Sequence, residues 1–505
     1  MSYITIDQRN HTFLDFECFF KGPIKVKLLK KSEENIKNSH KNFTKKLYSS
    51  EVIYGVNTGF GKLSNVSISD QDQILLQENL VRSHASGIGK PFDLGLVRVI
   101  LYLKILTFIK GYSGIRLQVV QKIIEYLNHD ILPVIPQKGS VGASGDLAPM
   151  GHMALSLIGE GEVFFDGKRS KTSDILNQLN IQPLKLEPKE GLSLINGTQV
   201  STAIAIKTLL NGKVLMDSAD VVGGISVENS YSSLNVFRKE IHEAKMHLGQ
   251  RKTAEIIYNI LQDSEIINSH KDCDKVQDPY SFRCIPHVHG ASRDIFENAA
   301  EIINNEINSV SDNPLILKDG TIASSGHFHA EHVAQSLDSL AVAFSELGAI
   351  SERRIHNFMK GVKGKFEPFV TIKPGLESGY MIAHVTATAL ASENKTLAHP
   401  ASVDSINSSA GQEDLVSMAP WAGNKLLMIQ ENVCTILSIE LLVACAVNYI
   451  CSSNMKSGSG IRKIISYVKN KCEFHIGDRS LYSEITLLKH YIETGDLLNQ
   501  VDYNL

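Results

Sequence analysis

Residues 139–149 read GSVGASGDLAP, and this stretch decides the fold and the chemistry that the sequence predicts. A single serine, Ser144, lies between Ala143 and Gly145, with further glycines before it and Asp146 two positions after it. Because glycine adopts backbone conformations that side chains forbid, the segment predicts a tight turn. So little side-chain bulk around one hydroxyl raises the question of what the serine does.

The spacing excludes two common uses of a serine in a glycine-rich loop. A hydrolase nucleophile elbow requires G-x-S-x-G after a strand, but Asp146 stands where the last glycine is needed. A phosphate-binding loop requires GxxxxGK[ST] or GxGxxG at the start of a helix, and neither is present. An ordinary glycine turn remains open as an interpretation.

A third possibility uses the main chain of Ala143, Ser144 and Gly145. Because Gly145 has no Cβ, its amide nitrogen can fold back toward the carbonyl carbon of Ala143. Ring closure with loss of water gives an imidazolone, and dehydration of Ser144 then leaves an exocyclic methylidene. The product is a strong electrophile, which no ordinary side chain supplies, and it suits a reaction in which an amine must leave.

Helical periodicity dominates the second half of the chain. Apolar residues recur every three or four positions in 331–355 and 294–309, and 425–451 is apolar nearly all round, as for a helix inside a bundle. Strand signals are few, although VFFDGKRS (163–170) predicts a hairpin with an Asp-Gly turn. The pattern predicts a mainly α protein, with a mixed α/β N-terminal region over 1–200 and a long-helix bundle over 201–505.

Composition excludes several classes of protein. The 505 residues include 51 Lys+Arg and 54 Asp+Glu, a net charge of −3 that favours neither nucleic acid nor an acidic surface as a partner. Seven scattered cysteines without a CxxC pair are typical of a reducing compartment. The apolar stretch 436–451 is interrupted by polar residues and is too short for a span, so it predicts a buried core helix. No signal peptide is evident at the N-terminus, and we expect a cytoplasmic protein without membrane contact.

The motifs along the chain resemble those of the aromatic amino acid ammonia-lyases, the family of histidine, phenylalanine and tyrosine ammonia-lyases. They run from about residue 50 to 420 in the family's order: YGVNTGFGKL (54–63), RSHASGIG (82–89), GSVGASGDLAPMGHMAL (139–155), GLSLINGTQ (191–199), QDPYSFRC (277–284), SDNPL (311–315), FHAEHVA (328–334) and GQEDLVSMA (411–419). The resemblance implies that Ala143-Ser144-Gly145 forms the methylidene-imidazolone prosthetic group (MIO), with no external cofactor. It also implies the long-helix bundle of the ammonia-lyase (fumarase/aspartase-like) type and a homotetramer with active sites shared among chains. The GSSxMPxKxN signature of the fumarase-like lyases themselves is absent.

The resemblance implies roles for residues that act on the substrate. Tyr54 matches the mobile-loop tyrosine that serves as the base for the β-proton, and its alternative is a packed loop tyrosine. Arg283 matches the ligand of the substrate carboxylate, for which a guanidinium fork is geometrically apt, and its alternative is a structural salt bridge. Tyr280 and Asn196 match residues near the MIO, although Asn-Gly-Thr is also good helix-cap sequence.

Further residues are implied to surround the substrate or the loop. His84 and Glu413 would hold an imidazole ring, one by ring contact and one by a charge-assisted hydrogen bond. Gln277 and Phe328 would line the pocket, although a lone histidine or phenylalanine is more often part of a core. Asp146 would assist cyclisation or would merely cap a following helix.

The segments that set selectivity are most similar to the histidine-selective members. Ser83-His84, Asp278-Pro279 and Gln412-Glu413-Asp414 share this similarity, which implies that L-histidine is converted to trans-urocanate and ammonia. Two departures stand beside it: His327 where relatives usually have Asn, and Leu415 where histidine-selective members usually have His. A tyrosine ammonia-lyase, an MIO-dependent aminomutase and a catalytically silent helical scaffold therefore remain open.

Two histidine-rich segments suggest a metal site. The segments are HFHAEH (327–332) and HVH (287–289). Histidines at i and i+2 face one side of a strand, whereas 329 and 332 suit one face of a helix, so no single element satisfies both. The pattern HxxEH also fails because position 328 is Phe. We therefore predict no metal.

Overall fold

The computed structural model describes residues 3–47, 51–270, 276–451 and 454–502, and most of these residues are helical. The helices are α1 (Glu17–Lys21), α2 (Lys30–Leu47), α3 (Gln73–His84), α4 (Leu94–Ile109), α5 (Leu117–His129), α6 (Leu147–Leu157), α7 (Thr172–Gln178), α8 (Glu190–Ile195), α9 (Gln199–Asn229), α10 (Lys239–Glu243), α11 (Leu248–Leu261), α12 (Glu265–Asn268), α13 (Tyr280–Arg283), α14 (Ile285–Ile307), α15 (Glu331–Met359), α16 (Met381–Leu397), α17 (Ala419–Cys451), α18 (Ser459–Lys471) and α19 (Tyr482–Glu493). The strands are β1 (Tyr3–Ile6), β2 (Lys25–Leu28), β3 (Ile88–Pro91), β4 (Leu132–Pro133), β5 (Pro136–Lys138), β6 (Glu162–Phe165), β7 (Lys168–Lys171), β8 (Leu315–Ile316) and β9 (Ile322–Ala323).

The strands form small sheets of two or three members. β1 pairs with β2 in parallel, and β3–β5, β4–β6–β7 and β8–β9 are antiparallel. The predicted hairpin is confirmed, because Phe165 pairs with Lys168 across a two-residue turn. Asp166 and Gly167 both have positive φ, 48° and 73°, as a type I′ hairpin turn requires.

The helices predicted from periodicity are confirmed and extended. α15 continues to Met359, and α14 begins at Ile285, before the predicted start at 294. α17 begins six residues before the predicted start at 425, with Pro420 in its first turn, where a missing N–H costs no hydrogen bond. By length and composition this helix is apolar enough to cross a membrane, but 83% of its most apolar window is buried within the chain. The burial agrees with the predicted core helix.

The described chain forms two compact units. The first unit comprises 1–207, 300–338 and 400–424, and the second comprises 208–299, 339–399 and 425–505. The predicted boundary at residue 200 is coarser than this division, because two later segments of the chain belong to the first unit. The assignment of separate functional regions to the two sides of that boundary stays a prediction.

The first unit is organised around α4, which is buried on every side. Asp93 caps its N-terminus by accepting a hydrogen bond from Leu96 N (3.0 Å). Nearly all of its side chains are apolar, and each buried Leu or Ile contributes about 1.5–3 kcal/mol. The buried ammonium of Lys104 is an exception. α3, α6 and α8 pack against one another in the same unit, and their ends lead to the candidate site.

The second unit contains the longer parts of the long helices and a buried ion pair. Arg354 on α15 and Glu440 on α17 are both fully buried and are joined by two hydrogen bonds, the longer being 2.9 Å. Ser226 and Ser351 also donate to the Glu440 carboxylate. Because breaking such a pair leaves a buried charge without a partner, it fixes how these helices pack.

Candidate active site

The glycine-rich loop lies in the first unit, immediately before α6, and pairs with the chain that follows α8. Asp146 N donates to the carbonyl oxygen of Gly197 (2.8 Å), and Gly197 N donates to that of Ser144 (3.5 Å). Gly145 has φ +73°, and a Cβ there would lie 2.1 Å from Gly197 O. Only glycine is therefore compatible with this pairing.

These features suit a segment that closes a ring through the Gly145 amide. The absence of a Cβ lets this backbone bend tightly, and Ala143 beside it is buried and small. Ser144 is half-buried, and its hydroxyl donates to Oε1 of Glu413 (3.4 Å). The loop thus fits the MIO that the resemblance implies.

Glu413 is held by the chain that precedes it. Its Oε2 accepts hydrogen bonds from the hydroxyls of Ser408 (2.6 Å) and Ser409 (2.7 Å), and its backbone oxygen accepts from Ser408 N (3.0 Å). These bonds occupy one carboxylate oxygen and leave Oε1 directed toward Ser144. Charge-assisted bonds of this kind fix the position of the carboxylate.

His84 is the last residue of α3 and is half-buried. Its Nδ1 lies 2.8 Å from the backbone oxygen of Leu80, and because a carbonyl only accepts, Nδ1 bears the hydrogen and Nε2 is left as an acceptor. Burial lowers the pKa of His84, while the bond to Leu80 and the charge of Glu413 oppose that change. A neutral imidazole that can accept a hydrogen bond is the result.

Asn196 follows the last residue of α8 and is almost fully buried. The cap hypothesis holds for its backbone, which ends α8 in an extended conformation, but its side-chain Nδ2 donates to Asn313 O (2.9 Å). Its Oδ1 is buried and has no hydrogen-bond partner among the described residues. An unpaired buried amide oxygen is costly, and such atoms are common where a ligand binds.

Tyr54 lies in a loop of the first unit and is half-buried. Its hydroxyl accepts a hydrogen bond from Gly61 N (3.0 Å), and its ring contacts Phe60 edge-on. The flanking Ile53 and Val56 pack in an apolar cluster with residues of α2 and β8, which anchors the loop. The short helical turn that begins at Gly61 lies beside the 409–411 turn, which precedes Glu413.

The sequence interpretation missed Gln77, which ties the tyrosine loop to the helices. Its Nε2 donates to Gly55 O (2.9 Å) and its Oε1 accepts from Leu192 N (3.0 Å), so one fully buried side chain bridges the loop, α3 and α8. Its sequence signal is weak, since Gln77 is one of several polar residues inside LLQENL (75–80).

Asp146 caps a helix, but not the one that follows it. Its carboxylate makes no cap bond to α6 and instead accepts from Ser201 N (2.8 Å) and Ser201 Oγ (3.0 Å) in the first turn of α9. The position is favourable because the N-terminal end of a helix attracts negative charge. Complete burial nevertheless raises the pKa of Asp146 from 3.8 to about 6, against the bonds to Ser201.

Lys104 on α4 was also missed by the sequence interpretation. It is fully buried, and its Nζ donates to Asn196 O (2.5 Å). Burial lowers its pKa to about 7, and the carboxylates of Asp312 and Asp146 oppose this change while Lys189 adds to it. The detectable signal is a lysine inside the apolar run LVRVILYLKILTFI (96–109).

The segment 277–283 lies in the second unit. Gln277 and Tyr280 are exposed, the latter to 71%. The guanidinium of Arg283 lies over the Tyr280 ring (4.7 Å to its centroid), and its buried Nε has no acceptor among the residues that the structure describes. Asp278 Oδ2 accepts from Ser233 N (2.7 Å). Gln277, Asp278 and Arg283 also line a cavity of about 750 Å³ within this unit.

Phe328 and His327 lie in a turn of the first unit before α15, Phe328 half-buried and His327 exposed. His329 Nε2 donates to the backbone oxygen of Leu415 (3.3 Å). The HVH histidines belong to the second unit, where His289 Nδ1 bonds to Asp220 (2.7 Å). Over the described ranges, no three His, Cys, Asp or Glu side chains are grouped so as to hold a metal ion.

The structure thus brings part of the predicted site together. In the first unit, Ser144 bonds to Glu413, whose charge also acts on His84, and Lys104 bonds to Asn196. The tyrosine loop lies beside the turn that holds Glu413. Phe328 lies in the same unit, in the turn before α15, whereas Gln277, Tyr280 and Arg283 form a group of their own in the second unit.

Comparison with known proteins points to one family. A family model described as aromatic amino acid lyase matches residues 12–470. The chain is 42% identical over 506 residues to the histidine ammonia-lyase of Desulfotalea psychrophila (strain LSv54 / DSM 12343), covering 100% of this chain and 98% of that protein. It is also similar to the crystal structure of histidine ammonia-lyase from Trypanosoma cruzi, with a TM-score of 0.89, 33% identity, and coverage of 99% of this chain and 95% of that one. A tyrosine aminomutase from Streptomyces globisporus gives a TM-score of 0.93 at 30% identity, with 100% of both chains covered.

These similarities confirm the mainly α fold of the ammonia-lyase type that was expected from the motifs. The fold by itself does not separate lyases from aminomutases, since both kinds of protein match over essentially the whole chain. The sequence relative at 42% identity favours the histidine-selective lyases.

Proposed function

The chain belongs to the aromatic amino acid lyase family, and we propose that it removes ammonia from L-histidine to give trans-urocanate. It is a carbon–nitrogen lyase. The observation that supports the proposal most directly is the backbone pairing of the Ser144-Gly145-Asp146 segment with Gly197, which holds Ser144 against Glu413.

Ala143, Ser144 and Gly145 would form the MIO. When formed, this group supplies an electrophilic methylidene carbon, to which either the substrate amine or its imidazole ring adds. The chain's contribution is to place that carbon beside Glu413 and to keep the backbone of Gly145 free of a side chain, as the 2.1 Å approach of a Cβ to Gly197 O requires.

Glu413 and His84 are proposed to bind the imidazole of the substrate. The Glu413 carboxylate accepts a hydrogen bond from a ring N–H and stabilises positive charge on the ring. His84, neutral with Nδ1 bonded to Leu80, offers Nε2 as an acceptor, and its contact with the ring orients the substrate. Phe328 and Gln277 would complete the lining of this pocket.

Tyr54 and Arg283 are proposed to act on the other end of the substrate. The N–H of Gly61 donates to the Tyr54 oxygen and so stabilises negative charge there, which a base for the β-proton needs. Arg283 has a buried Nε without an acceptor in the described chain, so it can donate to a carboxylate. We also propose that Tyr280 and Asn196 lie near the reacting centre. Tyr280 lies beneath the Arg283 guanidinium, and the buried Oδ1 of Asn196 has no partner among the described residues.

We infer that the protein is a homotetramer whose sites are shared among chains, and that it is cytoplasmic. Tyr280 is 71% exposed, more than a residue of a closed site should be. Ile382 and Val385, three apart on α16, are also exposed and present an apolar patch of the kind that a partner subunit covers. Light scattering after size exclusion should give a mass of about four chains.

The decisive experiment combines substrate and mass. L-histidine should be converted to a product that has the ultraviolet absorbance of urocanate, and the intact mass should be short by two waters. A full-length mass would remove the MIO from the proposal and favour the silent scaffold. Turnover of tyrosine but not histidine would favour the tyrosine-selective alternative, which the relative at 42% identity does not support.

Glu413→Gln tests the substrate assignment more finely. The amide keeps the shape but loses the charge that an imidazole requires, so kcat/KM for histidine should fall about 10- to 100-fold. Asp414→Asn, at an exposed neighbour, is the matched control and should change it little. An unaltered kcat/KM in Glu413→Gln would contradict the proposed role.

A further inference from the structure

The peptide that joins Asn196 to Gly197 lies between the buried ammonium and the glycine-rich loop. On one side its carbonyl oxygen accepts a hydrogen bond from Lys104 Nζ (2.5 Å). On the other side its N–H, which belongs to Gly197, donates to the carbonyl oxygen of Ser144 (3.5 Å). Because the C=O and N–H of a trans peptide point in opposite directions, the two hydrogen bonds form a series that links Lys104 through one peptide group to Ser144.

Lys104 is the charged end of this series. It is fully buried on α4, and besides its bond to Asn196 O its ammonium lies over the ring of Phe108 (5.0 Å to the centroid). The charged groups that act on it are Asp312, Lys189 and Asp146, all fully buried. A buried lysine is costly, and one bonded to a main-chain carbonyl at a predicted reaction centre calls for a role beyond packing.

We propose that Lys104 is a positioning residue for the reaction: it holds and polarises the Asn196–Gly197 peptide, and through the Gly197 N–H it stabilises negative charge on the Ser144 carbonyl oxygen. A hydrogen bond to an ionised donor polarises the next bond in a chain, so the Gly197 N–H becomes a stronger donor. The lysine does not touch the substrate.

The reaction step that this series of hydrogen bonds would assist rests on the proposed function. In the cyclised segment the Ser144 carbonyl is conjugated with the methylidene carbon. A nucleophile that bonds to that carbon therefore displaces an electron pair toward the Ser144 oxygen. Donors aimed at an oxygen that gains charge during reaction lower the barrier, and they act best when the structure holds them in place beforehand.

The test compares four variants at two of the buried lysines, Lys104 and Lys189. Lys104→Met keeps the length of the side chain without its charge, Lys104→Arg keeps a charge, and Lys104→Gln keeps a donor that is neutral. Lys189→Met is the matched control, because Lys189 is equally buried and bonds instead to Ser193 Oγ (2.7 Å) and Asp312 (3.3 Å). Intact mass gives the fraction of chains that are short by two waters, and kcat is expressed per such modified chain. Activity is measured at pH 6.5, below the Lys104 pKa of about 7, so that the lysine is mostly protonated.

The expected result is a loss in kcat without a loss in substrate affinity. Lys104→Met should lower kcat per modified chain about 10- to 100-fold, less than the loss of a direct donor to such an oxygen, with KM for histidine within about threefold. Lys104→Arg should restore most of it, and Lys189→Met should stay within about threefold of the wild type. If the two-water deficit is absent in Lys104→Met but kept in the other three variants, the lysine acts in ring closure, and the proposed role in turnover is overturned.

Several outcomes would overturn it. These are a wild-type kcat in Lys104→Met, an equal loss of kcat or of the mass deficit in Lys189→Met, and an arginine variant no better than methionine. If the methionine variant does not fold, the Gln and Arg variants decide, since equal kcat in those two would remove any role for the charge. A wild-type protein that lacks the mass deficit or forms no urocanate would contradict the proposed function itself, before any variant is compared.

Discussion

The 143–146 loop and the 277–283 segment both contain residues of the proposed site, but they are built differently. The loop is mostly buried, and Gly145 is pressed against Gly197 so closely that no side chain fits. The segment leaves Tyr280 71% exposed and gives the buried Arg283 Nε no acceptor in the described chain. The loop is therefore organised before any ligand arrives, whereas the segment has donors that a ligand or a second chain would satisfy.

This difference suits the loop to forming the reactive group and the segment to binding the substrate. Ring closure requires backbone atoms of one chain to be held close together, which tertiary hydrogen bonds accomplish. Substrate binding needs donors that are available to a ligand, and a buried donor such as Arg283 Nε is costly while it has no acceptor. Substitutions in the loop should therefore prevent formation of the reactive group, whereas substitutions in the segment should weaken substrate binding.

Ser144→Ala breaks the loop's chemistry and should have the largest effect. Without the hydroxyl no methylidene can form, so kcat should fall by a factor on the order of 10³ or more, and the two-water mass deficit should disappear. The fold should persist, because the hydroxyl makes only one long side-chain bond, 3.4 Å to Glu413. Circular dichroism and intact mass check both statements, and near-normal turnover would refute the role of the loop.

Arg283→Gln breaks the segment and should act mainly on substrate binding. Loss of a charged donor to a carboxylate should raise KM for histidine and lower kcat/KM about a hundred-fold, while the mass deficit stays. Arg238→Gln in the same unit is the control, because Arg238 is exposed and pairs with Glu240 at the surface. A wild-type KM in Arg283→Gln would leave only the structural role of this arginine.

Coexpression of Ser144→Ala and Arg283→Gln chains sharpens the comparison. If sites are shared among chains, mixed tetramers contain some sites with both native residues, and activity should exceed that of either variant alone. If each site belongs to one chain, mixing restores nothing.

The sequence predicted elements better than it predicted their contacts. The long helices and the Asp-Gly hairpin follow from spacing of three to four and of two residues, which local physics determines. The glycine loop was identified through its resemblance to the motif of the ammonia-lyase family, because the stretch on its own left an ordinary turn open. The partner of Gly145, in contrast, is Gly197, and no local rule indicates a contact between residues so far apart in the chain.

Lys104 and Asp146 illustrate what was missed. Lys104 stands 92 positions before Asn196 in the chain, so its bond to that residue's carbonyl depends on tertiary structure that brings α4 close to the end of α8. Asp146 precedes α6, which favoured a cap on that helix, yet its carboxylate bonds to Ser201 in α9. Both side chains are charged and buried, and only tertiary structure shows which partners make that burial tolerable.

Asp146→Asn tests the buried charge at the last residue of the loop. Since the pKa of Asp146 is raised from 3.8 to about 6, the folded protein binds the proton more tightly than the unfolded chain. Its contribution to stability is therefore full below pH about 4 and is lost as pH rises through about 6, a change of about 3 kcal/mol. Asn keeps an acceptor for Ser201 without ionising, so the variant should gain in Tm relative to the parent as pH rises from 5 to 7.

This measurement is made in the Ser144→Ala background, so that the extent of ring formation is the same in every sample. Asp174→Asn, at an exposed position in α7, is the control and should follow the parent at every pH. A Tm difference between Asp146→Asn and its parent that does not change with pH would show that the carboxyl group keeps one charge state throughout.

Leu415→His should have the smallest effect and tests whether the surface that follows Glu413 in the chain is complete within one chain. Leu415 is 64% exposed, and its backbone oxygen, not its side chain, accepts the bond from His329. Because most of this side chain faces solvent within one chain, kcat/KM for histidine should change by no more than about twofold. A much larger change, with Tm unaltered, would mean that this exposed side chain lines a completed site. The surface near the loop would then resemble the 277–283 segment in depending on a second chain.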